Sequence, residues 1–236
     1  DNDKLSHMMD TSDEWIRGRT GIGQRHIASG GETVAYMAAR AAEEALSDAG
    51  MRPEEIDLLL VSTMSSERIM PCAACEVQKL IGAVNAACFD LNGACTGFLL
   101  ALNTAQAYLG QQIYRRALVI GSETLSHLTN WKDRSTCVLF GDGAGAAVFE
   151  LTDTAAPFAI TLGARGDAAI HAGGPSRAGS APISMDGRAV FRFAVDALPK
   201  CLHTVLDETG LTLDNLDWVV CHQANSRIID HCVTAL

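Results

Sequence analysis

The hydrophobic pattern switches between two periods along the chain. Residues 56–62 are a short apolar run, the pattern of a strand buried on both faces, and 86–91 and 117–120 predict two further strands. Between them the apolar positions take helical spacing. Residues 33–49 are good helix formers that stop at Gly50. Residues 72–81 predict a second helix and 96–109 a third, with Leu99, Leu102 and Leu109 on one stripe. Ahead of these, residues 11–21 read as a helix capped by Thr11 or Ser12, with Trp15 as its apolar plug. Strands alternating with helices imply βαβ units and a parallel sheet. Residues 137–140 and 146–149 flank the glycine-rich stretch 141–145 and predict a hairpin. A strand at 158–162, a long loop at 163–188, a helix at 189–209, a strand at 217–220 and a helix from 226 follow. The strand–helix–strand order returns after the loop, which points to two related halves, 1–152 and 153–236.

Composition narrows the class. The chain has 236 residues, 48% hydrophobic and 19% charged, the profile of a folded protein with a sizeable core. Its formal net charge is −10 with no basic stripe, which argues against a nucleic-acid binder. An acidic partner would need a local basic patch. No apolar run is long enough to predict a membrane span, and no signal peptide is evident. Eight cysteines (72, 75, 88, 95, 137, 201, 221 and 232) sit mostly in apolar runs, where a thiol packs as a small hydrophobe. A reducing compartment, the cytoplasm, is expected.

Cys95 and His222 are the candidates for chemistry. Cys95 follows a predicted strand and the turn Asn92-Gly93-Ala94, and it opens an apolar helix. The helix dipole and free backbone N–H groups there would favour thiolate, the form that takes an acyl group from a thioester. Position alone fits a packing cysteine equally well. His222 ends a predicted strand, where sites of open α/β sheets collect. It could move a proton or donate to a thioester oxygen, or simply cap nearby carbonyls. The glycines at 141–145 lack a phosphate-loop Lys and predict a tight turn rather than a nucleotide site. For zinc, the Cys72–Cys75 pair would need two more ligands, and Cys221, His222, His231 and Cys232 come as adjacent pairs rather than spaced chelating arms; for a redox motif it lacks the preceding strand with a thioredoxin-like turn.

Six stretches fall in one order: Asp10-Thr-Ser-Asp-Glu-Trp-Ile16, Arg19-Thr-Gly-Ile22, Arg25-His-Ile-Ala28, Gly93-Ala-Cys-Thr-Gly-Phe98, Phe140-Gly-Asp-Gly-Ala-Gly-Ala146 and His222-Gln-Ala-Asn225. Together they make the chain resemble the β-ketoacyl-acyl-carrier-protein synthase III family of thiolase-like condensing enzymes. The resemblance implies an α/β fold of five layers, αβαβα, built from two duplicated halves. It also implies an initiating condensing enzyme of fatty acid synthesis. Cys95 would take an acyl group from acyl-CoA, acetyl or short and branched, and then condense it with malonyl-ACP as CO₂ leaves.

By the same resemblance, His222 is catalytic, and Asn225 lies beside the pantetheine arm. Trp15 and Arg134 sandwich the CoA adenine, Arg19 contacts phosphate, and Thr11, Gly187, Phe191 and Ala224 line the tunnel. Met70 stands where the family often has Phe, on a loop reaching a partner's acyl pocket in a homodimer. Arg192 and Arg227 would dock the acidic carrier protein. No cofactor or metal is implied. Two other readings remain: a quinolone or polyketide ketosynthase, or a non-catalytic truncated paralogue. Set against the family, the chain looks incomplete at both ends. It lacks a first strand, a later Gly-Asn-Thr motif with a second catalytic Asn and a C-terminal glycine loop. Residues 1–236 alone are therefore expected to be inactive and poorly folded.

Overall fold

The computed structural model describes residues 1–154, 157–173 and 181–236. The centre of the long loop expected at 163–188 thus lies outside the described residues. A four-stranded sheet organises the first part of the chain, in the order β2-β1-β3-β4. Strands β1 (Leu58–Ser62), β2 (Ala87–Leu91) and β3 (Arg116–Thr124) run parallel, and β4 (Asp142–Glu150) is antiparallel to β3.

Helices cover both faces of this sheet. On one face α3 (Val34–Ala49) and α4 (Ala73–Ile81) pack over Leu59, Val61, Leu118 and Ile120. On the other, α5 (Gly97–Gly110) packs over Leu58, Leu60, Ala117 and Val119. Alternate residues of one strand therefore enter opposite cores, which is why 58–61 reads as a continuous apolar run. Small side chains set the helices close: Ala35, Ala38, Ala39 and Ala42 on α3, and Ala101 and Ala105 on α5, are all buried. Thr33 caps α3 through its side chain, and Gly50 ends it in the left-handed conformation at φ 63°.

Three smaller elements complete the frame of the site. Helix α2 (Asp13–Thr20) is capped by Ser12 and follows a short α1 (Asn2–Ser6). Helices α6 (Gly187–Thr209) and α7 (Ser226–Ala235) pack on each other, with Phe191 edge-on to His231 at 6.1 Å. A two-residue pairing of β5 (Ile170–His171) with β6 (Ser184–Met185) precedes α6.

Three sequence expectations need correction. Residues 137–140 form successive turns rather than a strand; Cys137 N–H donates to Asp133 O and Leu139 N–H to Thr136 O. The glycine stretch 141–145 is no hairpin turn, because β4 begins at Asp142 and pairs with β3 along its whole length. Asp142 fixes that start: its carboxylate accepts from Ala28 N–H at 2.7 Å and Ser126 N–H at 2.8 Å. Residues 158–162 and 217–220 carry strand-like composition but pair with nothing among the described residues. Trp218 and Val220 stand 87% and 86% exposed, so strand propensity without a hydrogen-bonding neighbour leaves extended chain.

Leu60 is fully buried at the centre of the sheet, beneath α5. Leu60→Ala is expected to cost about 2–5 kcal/mol in urea denaturation, since the cavity cannot collapse between sheet and helix. A loss below about 1 kcal/mol would contradict the packing described.

Candidate active site

Cys95 sits in a single 3₁₀ turn, Ala94–Thr96, between β2 and α5. The turn is anchored by Thr96, whose N–H and Oγ1 both donate to Gly93 O, at 3.2 and 3.1 Å. Ala94 takes a positive φ of 46°, a strained value for a residue with a Cβ. The turn rests on the carboxyl ends of the parallel strands. A Cβ added at Gly97 would collide with the Ser62 hydroxyl at the end of β1 and approach its Cβ to 3.2 Å. Phe98 lies against Gly121 of β3, 3.7 Å from where a Cβ there would be. No side chain caps α5; Gly97 N–H donates to Ala94 O, and no side chain occupies the N–H groups of the residues that follow it in the first turn.

The electrostatics of this thiol correct one expectation. Cys95 presents exposed surface, yet protein crowds it closely enough to be felt as burial. That desolvation pushes its thiol above the ordinary value, and the nearby Glu123 charge adds to the effect. A backbone hydrogen bond pulls the other way and is the weaker influence. Burial thus works toward the protonated thiol, against the pull of the helix terminus.

Glu123 escaped the sequence reading because the predicted strand ended at 120, whereas β3 runs on to Thr124. Its carboxylate accepts from Met64 N–H at 2.9 Å, Thr63 Oγ1 at 3.3 Å and the Ser65 hydroxyl. Burial raises its pKa while these donors lower it. A lone acidic residue three positions past the apolar run 117–120 was the available signal.

His222 lies just before α7 in exposed chain, and desolvation lowers its pKa, which holds the ring neutral. No hydrogen bond joins it to Cys95 among the described residues. Asn225 is the N-cap of α7, its side chain accepting from Arg227 N–H at 2.9 Å. The start of α7 meets the end of α2: a Cβ at Gly21 would stand 3.0 Å from the Ser226 Cβ.

Trp15, Arg19 and Arg134 form one cluster. Both guanidinium groups lie 4.8 Å from the Trp15 ring centroid. Arg134 also donates to Asp10 O at 2.6 Å. The expected Trp15–Arg134 pair is thus already stacked, with no gap for a base between them; a base would have to displace the guanidinium. Thr11 has a buried hydroxyl without a hydrogen-bond partner. Gly187 is the first residue of α6, and Phe191 and Arg192 follow on the same helix. Arg192 and Arg227 are exposed on the two packed helices α6 and α7, and Met70 is 85% exposed on the loop before α4.

Among the described residues no group of three or more His, Cys, Asp or Glu side chains could hold a metal ion, and no helix is long and apolar enough to cross a membrane.

Comparison with known proteins connects this geometry to a family. The family model for 3-oxoacyl-[acyl-carrier-protein (ACP)] synthase III matches residues 89–166, the segment that carries Cys95. A β-ketoacyl-[acyl-carrier-protein] synthase III of Clostridium acetobutylicum is 44% identical, over all of this chain and 75% of its own length. The crystal structure of 3-oxoacyl-[acyl-carrier-protein] synthase III from Aquifex aeolicus superposes with a TM-score of 0.93 at 40% identity, covering 99% of this chain and 75% of that one. The priming β-ketosynthase of the R1128 polyketide pathway reaches a TM-score of 0.94 at 38% identity, covering 100% and 73%. The shared architecture is the thiolase-like fold. With this identity sustained along its length, the chain belongs to the β-ketoacyl-[acyl-carrier-protein] synthase III family.

Proposed function

We propose that this chain, an acyltransferase that initiates fatty acid synthesis as its family does, works through Cys95 as nucleophile and His222 as proton-handling partner. The observation that carries the reading is the strained turn that holds Cys95 over the carboxyl ends of β1 and β3, beside the uncapped start of α5. The family uses acyl-CoA and acyl carrier protein and needs no cofactor. In the first half-reaction the Cys95 sulfur attacks the acyl-CoA carbonyl, the C–S bond to CoA breaks and CoA leaves. The proton of a resting thiol needs an acceptor, and a neutral imidazole is one. In the second half-reaction malonyl-ACP loses CO₂. The resulting carbanion attacks the acyl-Cys95 thioester, and β-ketoacyl-ACP departs. A neutral His222 can donate one ring N–H to the thioester oxygen as the enolate forms.

The finer assignments rest on the same reading. Trp15, Arg19 and Arg134 take the adenine end of CoA, with Thr11, Gly187, Phe191, Ala224 and Asn225 along the arm. Met70 gates the acyl pocket of a second copy in a homodimer, with acetyl or short and branched starters. Arg192 and Arg227 meet the acidic carrier protein. The chain divides into a nucleophile half, 1–152, and a histidine half, 153–236. The enzyme acts in the cytoplasm.

Incubation of the full-length protein with acetyl-CoA should leave an acetyl adduct on Cys95 by peptide mass spectrometry. Cys95→Ser should remove it and lower condensation by about 10³-fold or more; an adduct on another residue would overturn the assignment. The rate of Cys95 alkylation by iodoacetamide should climb with pH to a midpoint above that of a free cysteine, about 8.5. A midpoint near 7 would show that the helix terminus outweighs burial after all. Trp15→Ala should raise KM for acyl-CoA roughly 2- to 5-fold with kcat little changed, and Trp15→Phe should recover most of it. An unchanged KM would remove Trp15 from the CoA site.

A further inference from the structure

Three thiols outside the proposed active site lie in one row. Cys72 Sγ is 3.4 Å from Cys75 Sγ, which is 3.4 Å from Cys88 Sγ. All three are free and half-buried. The fold brings them together by a specific contact. Cys72 is the N-cap of α4, Cys75 lies one turn on, and Cys88 projects from β2. Asp90 of β2 holds the helix start there, accepting from Ala73 N–H at 2.9 Å and Ala74 N–H at 2.7 Å. The sequence spacing of Cys72 and Cys75 suggested no redox pair, because no strand with a thioredoxin-like turn precedes it; the third sulfur is thirteen residues on from Cys75. Cys75 also lines an open cleft of about 750 Å³ with Thr33, Arg68, Pro71, Glu76 and Lys79, so a small solute can reach it.

We propose that Cys72, Cys75 and Cys88 form an oxidisable thiol relay in which a hydroperoxide drives a disulfide from Cys75 to either neighbour. Cys75 sulfur attacks one peroxide oxygen; an S–O bond forms, the O–O bond breaks, and the other oxygen leaves as water or alcohol. A neighbouring thiol then attacks the sulfenic sulfur; the S–S bond forms, the S–O bond breaks, and water leaves with the remaining proton. Two thiols are oxidised by two electrons and the peroxide is reduced by the same two. Closing a gap of 3.4 Å to a bond of about 2.05 Å is within reach of side-chain rotation. Burial raises the Cys72 thiol, and the contact with Cys88 raises that of Cys75, so these are slow nucleophiles whose oxidation needs peroxide in excess. A bond to Cys72 fastens the first turn of α4 to the exposed loop carrying Ile69 and Met70. A bond to Cys88 fastens α4 to the strand that runs on to Cys95.

The test uses the whole chain, reduced, freed of thiol, treated with hydrogen peroxide, blocked with iodoacetamide and mapped by peptide mass spectrometry. The expected result is a cross-linked peptide containing Cys75, lighter by two hydrogens and restored by dithiothreitol. Cys72→Ala should send the link wholly to Cys75–Cys88, and Cys88→Ala wholly to Cys72–Cys75. Cys75→Ser should abolish both, and the two other variants keep the test decisive if that one folds poorly. The proposal is overturned if all three cysteines remain alkylatable, or if any link bypasses Cys75.

Discussion

The contact between Gly97 and Ser62 sets the geometry of the candidate site. The Ser62 hydroxyl occupies the space that a side chain at 97 would need, so helix α5 starts flush against the end of β1. Only a residue without a Cβ permits that approach. The chain leaving β2 must therefore rise and turn within a few residues. It does so through Ala94 at positive φ and a single 3₁₀ turn, and Cys95 stands at its crest. The strain is local, and the sheet that bears it is rigid: Leu58 to Val61 are fully buried between two helical layers.

The same closeness determines the thiol's chemistry. Crowding desolvates Cys95, and the buried Glu123 lies near enough for its charge to be felt. Glu123 is there for a mechanical purpose as well, since its carboxylate ties the chain after β1 through Thr63, Met64 and Ser65. A uniformly activated thiolate would be open to oxidation and alkylation at all times. A thiol whose pKa is raised is instead quiet until a carbonyl arrives and a base takes the proton. The lowered pKa of His222 suits that division of labour, because a neutral ring can either accept or donate.

A second group of contacts gathers residues from the two ends of the chain. The Gly21 turn meets Ser226, α6 packs on α7, and two arginines from separate segments lie over Trp15. The Trp15 cluster is satisfied by itself in this state, with both guanidinium groups stacked on the ring. A nucleotide base entering there exchanges one stacking partner for another, so its affinity reflects the difference between the two and not the full stacking energy.

Much of this was legible in the sequence. Apolar runs located β1, β2 and β3, a glycine stop ended α3, and the six ordered motifs identified the family and singled out Cys95 and His222. Those signals are local: each depends on side-chain period, on capping chemistry or on a short string of residues. What the sequence could not reveal is whatever depends on a partner distant in the chain. The stretches 158–162 and 217–220 look like strands, but a strand exists only where another offers its hydrogen bonds. Cys95 sits at a helix start, but burial and Glu123, brought in by β3, decide the charge on its sulfur. Cys72 and Cys75 meet Cys88 only because Asp90 docks α4 on β2. Local pattern determined the elements and the candidate chemistry. Tertiary packing alone decided which groups meet and how dry their surroundings are, because distance and desolvation are properties of the assembled core.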